Sequence, residues 1–141
     1  MRKRLKLLMV TVFILTSASM AFARGNDNIA RRGLFSYLAP PRLIYPILDT
    51  VDLGGKDFLE FQWGNNDIVG IDHYDFRLYK AYNTYAANLI LKQQLSADSG
   101  SIKVEAKTFE AGQVYTWVLK QITLGGNKSD PSSNSFKVIK K

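Results

Sequence analysis

The chain has 141 residues, 19 Lys and Arg against 12 Asp and Glu, 46% hydrophobic residues and no cysteine. That length suits one domain with a substantial core rather than two. The lack of cysteine excludes disulfides, thiol catalysis and cysteine metal sites, so burial alone must hold the fold. Four of the cations lie in Met1–Lys6, which leaves 15 against 12 beyond Ala23. Such a small and scattered excess does not make the basic stripe that nucleic acid needs, so no nucleic-acid partner is expected.

Met1–Lys6 (MRKRLK) is basic, Leu7–Thr16 (LLMVTVFILT) is apolar, and Ser17–Ala23 (SASMAFA) ends in Ala21-Phe22-Ala23. A basic start, a short apolar run and a small-x-small end describe a secretory signal peptide cut after Ala23. The apolar run is short against the roughly 20 residues that span a bilayer, which disfavours an uncleaved anchor. No cysteine follows it to carry a lipid, and no second run of spanning length exists. The mature chain is therefore expected without a stable membrane span, exported to a periplasm, cell surface or medium. An oxidising compartment with no cysteine fits a bacterial one.

Residues 24–42 (RGNDNIARRGLFSYLAPPR) read as a leader, partly disordered, that closes on Pro40-Pro41. Proline favours extended backbone and ends a helix. Ile29, Leu34, Phe35 and Leu38 are spaced for a short amphipathic turn or for a loosely ordered tether that docks on the domain or a neighbour.

From Leu43 the hydrophobic period is two. An initial strand lies near Ile44–Leu48. Leu59, Phe61 and Trp63 alternate with Glu60 and Gln62, and Gly64-Asn65-Asn66-Asp67 then supplies a turn. Tyr74, Phe76 and Leu78 alternate with Asp75 and Arg77 in a second segment. Leu78, Tyr82, Tyr85 and Leu89 sit at helical spacing among Ala81, Ala86 and Ala87, which predicts a helical turn or bulged crossing over Lys80–Ala87. Further strands follow at Leu89–Leu95, Ile102–Ala106, Val114–Leu124 and Ser135–Ile139. About seven short strands separated by turns predict an all-β, antiparallel two-sheet Greek-key sandwich.

The stretch from Leu43 to Lys141 resembles a fibronectin type III domain of the bacterial exported kind. The resemblance rests on Trp63, on Tyr74-Asp75-Phe76-Arg77-Leu78, and above all on Phe109-Glu110-Ala111-Gly112-Gln113-Val114-Tyr115-Thr116-Trp117-Val118. An apolar residue, a glycine turn and a tyrosine six positions on are the family's pattern, and Ala111 stands where the family usually has proline. The resemblance implies structural roles for Trp63, Phe109, Gly112, Tyr115 and Trp117, with the Tyr115 hydroxyl returning to backbone a few residues upstream. It implies a sandwich and leaves function open, because such domains serve as spacers, adhesins and binding scaffolds alike.

Tyr79, on the polar face of its strand, and Tyr82 and Tyr85 in the crossing form a partly exposed group beside Lys80, Asn83 and Asn88. Tyrosine combines apolar area with a polar tip, which suits contact with a carbohydrate or protein; the bland alternative is that the rings cover the sandwich edge. His73, the only histidine, with Asp72 and Asp75 reads as a solvated turn, since too few ligands accompany it for a metal. There is no G-x-S-x-G, phosphate loop or calcium loop, so no catalytic residue, metal or cofactor is expected. Two functions follow: a non-catalytic exported module binding an envelope protein or glycan, or an accessory subunit joined to an assembly by its leader or a sheet edge. Expression with bacterial export should give a product whose intact mass begins at Arg24. A membrane-bound product retaining Met1 would identify an anchor instead.

Overall fold

A computed structural model describes residues 38–47, 49–64 and 70–141. The expected signal peptide, the leader before Leu38 and the turn residues Asn65–Asp67 lie outside the described residues. Among those described, eight strands follow one another: β1 (Arg42–Tyr45), β2 (Thr50–Asp52), β3 (Phe58–Gly64), β4 (Ile71–Tyr79), β5 (Leu89–Ser96), β6 (Ser101–Glu105), β7 (Val114–Thr123) and β8 (Ser132–Ile139). They form a three-stranded sheet, β1-β3-β6, and a five-stranded sheet, β2-β8-β7-β4-β5. Every pair is antiparallel except β2 with β8. No described helix is long and apolar enough to cross a membrane.

Period-two alternation places each strand. Leu59, Phe61 and Trp63 of β3 point inward, as do Tyr74, Phe76 and Leu78 of β4 and Tyr115, Trp117 and Leu119 of β7, and all are buried. Rings from both sheets meet at Phe61. Its centroid lies 5.1 Å from Phe76 and 5.2 Å from Trp117, both edge-on, and 6.0 Å from Phe136. Edge-to-face pairs contribute about 0.5–1.5 kcal/mol each beyond their buried area, so this cluster is a principal bond between the layers.

The strand count differs from the expected seven at the start. One initial strand over Ile44–Leu48 becomes two, because Pro46 has no N–H to continue the ladder. Its carbonyl is taken instead by side chains of the larger sheet, Trp117 Nε1 at 3.0 Å and Asn134 Nδ2 at 3.1 Å. The chain changes sheet there and resumes as β2, with Val51 opposite Val138.

The end of the leader also packs. Pro41 is fully buried, the Ser132 hydroxyl donates to its carbonyl at 2.5 Å, and Gln121 Nε2 donates to the Ala39 carbonyl. Gln121 is a buried polar side chain on the inward face of β7. The docked backbone of Ala39 gives it a partner that burial would otherwise deny it.

The turn before β7 has the geometry that the Phe109–Tyr115 spacing implies. Tyr115 is completely buried, and its hydroxyl accepts the Glu110 backbone N–H at 2.8 Å. Phe109 packs edge-on against it at 5.0 Å. Between them Gly112 has φ +81°, a conformation that a side chain resists. Tyr115→Phe should keep the fold and lower the unfolding free energy by about 1 kcal/mol, the scale of one lost hydrogen bond. An unchanged denaturation midpoint would show that this bond contributes nothing.

Candidate functional site

The inner faces are filled by the core, so chemistry available to a ligand lies outside. Along β4 the outward residues are His73, Asp75, Arg77 and Tyr79, and along β7 they are Thr116, Val118, Lys120 and Ile122. The strands pair antiparallel, with Asp75 opposite Lys120, Arg77 opposite Val118 and Tyr79 opposite Thr116.

The structure separates the three tyrosines. Tyr82 and Tyr85 are 76% and 72% exposed, but Tyr79 is only 5% exposed. Tyr79 is on the polar face, as its alternation requires, yet it is not a surface ring. The chain after it folds back over β7, where the Thr116 hydroxyl donates to the Ala81 carbonyl at 2.6 Å. That bond closes the crossing above the position opposite Thr116, which is Tyr79. A register irregularity between Leu78 and Tyr79 on the β5 side accompanies the bend.

The crossing is short and heavily tied. Its only helical part is a 3-10 turn, Ala86–Asn88, so the helical spacing of Leu78, Tyr82, Tyr85 and Leu89 does not become an α-helix. The Lys80 N–H donates to the Asn88 carbonyl at 2.8 Å and the Asn88 N–H to the Tyr85 carbonyl at 2.9 Å. Asn83 Oδ1 accepts from Asn88 Nδ2 at 2.5 Å and from the Tyr85 N–H at 3.3 Å. Lys80 Nζ lies 2.7 Å from Glu110 Oε1, and that carboxylate raises the lysine pKa. Glu110 thus links the crossing to the Tyr115 turn.

His73 lies on β4 and not in a turn, and its Nδ1 is 2.6 Å from Asp72 Oδ2. Asp75 does not join them. Its carboxylate holds Arg77, with Oδ2 at 2.6 Å from Nη2 and 3.1 Å from Nε. The Asp75 contact, and after it the Tyr79 hydroxyl, raises the Arg77 pKa further above its ordinary value. Among the described residues no cluster of three or more His, Asp or Glu is placed to hold a metal ion.

Two hollows mark this outer face. One, of about 280 Å³, has Asp75, Arg77, Tyr79, Thr84, Lys120 and Ser133 among its walls. The other, of about 400 Å³, includes His73, Arg77, Lys92, Lys120 and Lys128. They share Asp75, Arg77 and Lys120 and form one trough running from the crossing to the loop between β7 and β8. Sequence reasoning did not single out Lys92, Lys120 or Lys128, which are far apart in the chain. Their alternation marks the two strand lysines as outward, but only the pairing of β5, β4 and β7 brings them together.

No family model matches the chain, and no curated protein matches it in sequence. In structure it is similar to the fibronectin(III)-like modules of Clostridium thermocellum CbhA, with a TM-score of 0.51 at 18% identity over 71% of this chain and 97% of that one. The fold is fibronectin type III-like. Other similar structures are the fn3 domain of human contactin 1 (14% identity, 74% and 81% of the two chains, TM-score 0.48) and the Clostridium perfringens spore cortex lytic enzyme SleM (10%, 70% and 27%, 0.46). In this fibronectin type III-like sandwich the crossing joins the two strands at the open end of the larger sheet. Thr116→Val, which puts a methyl in place of the hydroxyl and also gives up its 2.7 Å contact with the Ser135 hydroxyl, should speed amide hydrogen exchange over residues 81–88 by about fivefold, since the lost bond to Ala81 is worth about 1 kcal/mol. Exchange unchanged there would mean that the crossing is held without Thr116.

Proposed function

We propose that the mature chain is an exported, non-catalytic binding module that grips a protein or glycan at the cell envelope through the β4–β5 crossing. The observation that carries this reading is the pair of exposed rings, Tyr82 and Tyr85, on a segment tied by backbone and side-chain hydrogen bonds. Exposed aromatic rings on ordered backbone lose little conformational freedom when they bind, which makes them efficient contact residues. The basic, apolar and small-residue segments of Met1–Ala23 support export. The fibronectin type III-like fold supports a module whose core serves stability and whose loops serve contact.

A second reading, an accessory subunit joined by strand addition, is favoured by β5. It is the last strand of the larger sheet, and its outward Ile90 is 41% exposed. An edge strand of eight residues offers backbone groups to another chain.

The mature protein used as bait on native envelope extract separates the two. Capture of a protein or glycan that falls at least about tenfold in the Tyr82→Ala/Tyr85→Ala variant supports contact through the crossing, because ring contacts of this kind are worth about 1–2 kcal/mol each. Capture unaffected by that change, but abolished by Ile90→Pro in a variant that stays folded, would replace it with the edge-strand reading.

A further inference from the structure

Four cations from separate parts of the chain face the trough: Arg77 on β4, Lys92 on β5, Lys120 on β7 and Lys128 in the loop before β8. Arg77 stands directly opposite Lys92 in the β4–β5 register, and like charges in that relation repel. One carboxylate, Asp75, shares the trough, and it is engaged with Arg77. The ion pairs among the described residues are His73–Asp72, Arg77–Asp75, Lys80–Glu110 and Lys107–Glu105. Lys92, Lys120 and Lys128 belong to none of them. The trough therefore has three lysines in no ion pair among the described residues, against the single carboxylate of Asp75, and a concavity concentrates their field.

We infer that this trough binds a linear acidic glycan, a sugar chain carrying carboxylate or sulfate groups. The inference rests on the binding-module reading above and names the ligand class. The cations are staggered along β4, with Lys92 level with Arg77, Lys120 level with Asp75, and Lys128 bridged to Ile122 level with His73, so they suit several anionic groups on one chain rather than a single anion. From His73 to Tyr79 the strand rises about 20 Å at about 3.3 Å per residue, which gives the trough room for several sugar units. The crossing stands at one end, with Thr84 among the walls, and carries the exposed rings of Tyr82 and Tyr85. A nucleic acid would require aromatic platforms spaced along the trough for successive bases. Its floor instead has Val118 and Ile122, and Tyr79 is buried.

The test is affinity electrophoresis of the mature protein at low salt through gels containing polygalacturonate, dextran sulfate or neutral dextran. Retardation by one or both acidic polymers and not by dextran is expected, and the arm that retards identifies carboxylate or sulfate. Lys92→Gln/Lys120→Gln should weaken that binding about tenfold, as two exposed ion pairs would. Lys56→Gln/Lys107→Gln, which removes the same charge elsewhere, should leave it unchanged, and all variants should keep the wild-type melting temperature. Retardation by neither acidic polymer, or equal weakening in both double variants, overturns the inference. So does equally tight binding of a 20-mer of deoxythymidine. If acidic polymers fail while Tyr82→Ala/Tyr85→Ala still abolishes envelope capture, only the ligand class falls and the binding-module reading stands.

Discussion

The contact between Phe61 and Trp117, 5.2 Å between ring centroids, is the constraint on which the rest of the sandwich depends. Phe61 belongs to the smaller sheet and Trp117 to the larger. With no cysteine in the chain, the layers are held by burial and by such ring contacts. Trp117 adds a second tie through its indole N–H, which the Pro46 carbonyl accepts. That bond lies where the chain leaves β1 for the other sheet, so one side chain packs the centre and fixes the crossover. A large aromatic with a polar edge suits both tasks, since it buries area without stranding its N–H.

Filling the interior with rings determines where recognition is available. Tyr74, Tyr115 and Trp117 are consumed by the core, and Tyr79 is covered by the crossing that Thr116 holds down. What remains outside is a pair of tyrosines on a tied loop and a basic trough across β5, β4 and β7. These features meet at the crossing, and Glu110 connects that crossing to the buried Tyr115 turn by a backbone bond on one side and Lys80 on the other. The contact loop is thus tied to a buried turn of the sandwich.

Much of the fold was legible because strands write their orientation locally. Leu59, Phe61 and Trp63, or Tyr115, Trp117 and Leu119, alternate with polar or smaller residues, and a period of two assigns each a face without reference to anything distant. The Tyr115 turn was legible for the same reason: Phe109, Gly112 and Tyr115 are a few residues apart, and a glycine at positive φ is a local requirement. The spacing around Tyr82 foretold a helical turn or a bulged crossing, which the chain makes as the 3-10 turn Ala86–Asn88 and the irregularity after Leu78. It did not foretell the Asn83 and Thr116 bonds that tie the crossing down. Gln121 was equally opaque. A glutamine on an inward face becomes acceptable only when Ala39, 82 positions earlier, brings it a carbonyl.

By itself, the sequence determined the strand segments, their inward faces, the Tyr115 turn and the segmentation of Met1–Ala23 that supports export. Tertiary structure alone decided that the first strand divides between two sheets, that Tyr79 is hidden while Tyr82 and Tyr85 are not, and that Arg77, Lys92, Lys120 and Lys128 face one trough. The physical reason is the range of the interaction. Alternation and turn geometry act between neighbours along the chain, whereas register, coverage and charge convergence arise only when strands far apart in sequence pair side by side.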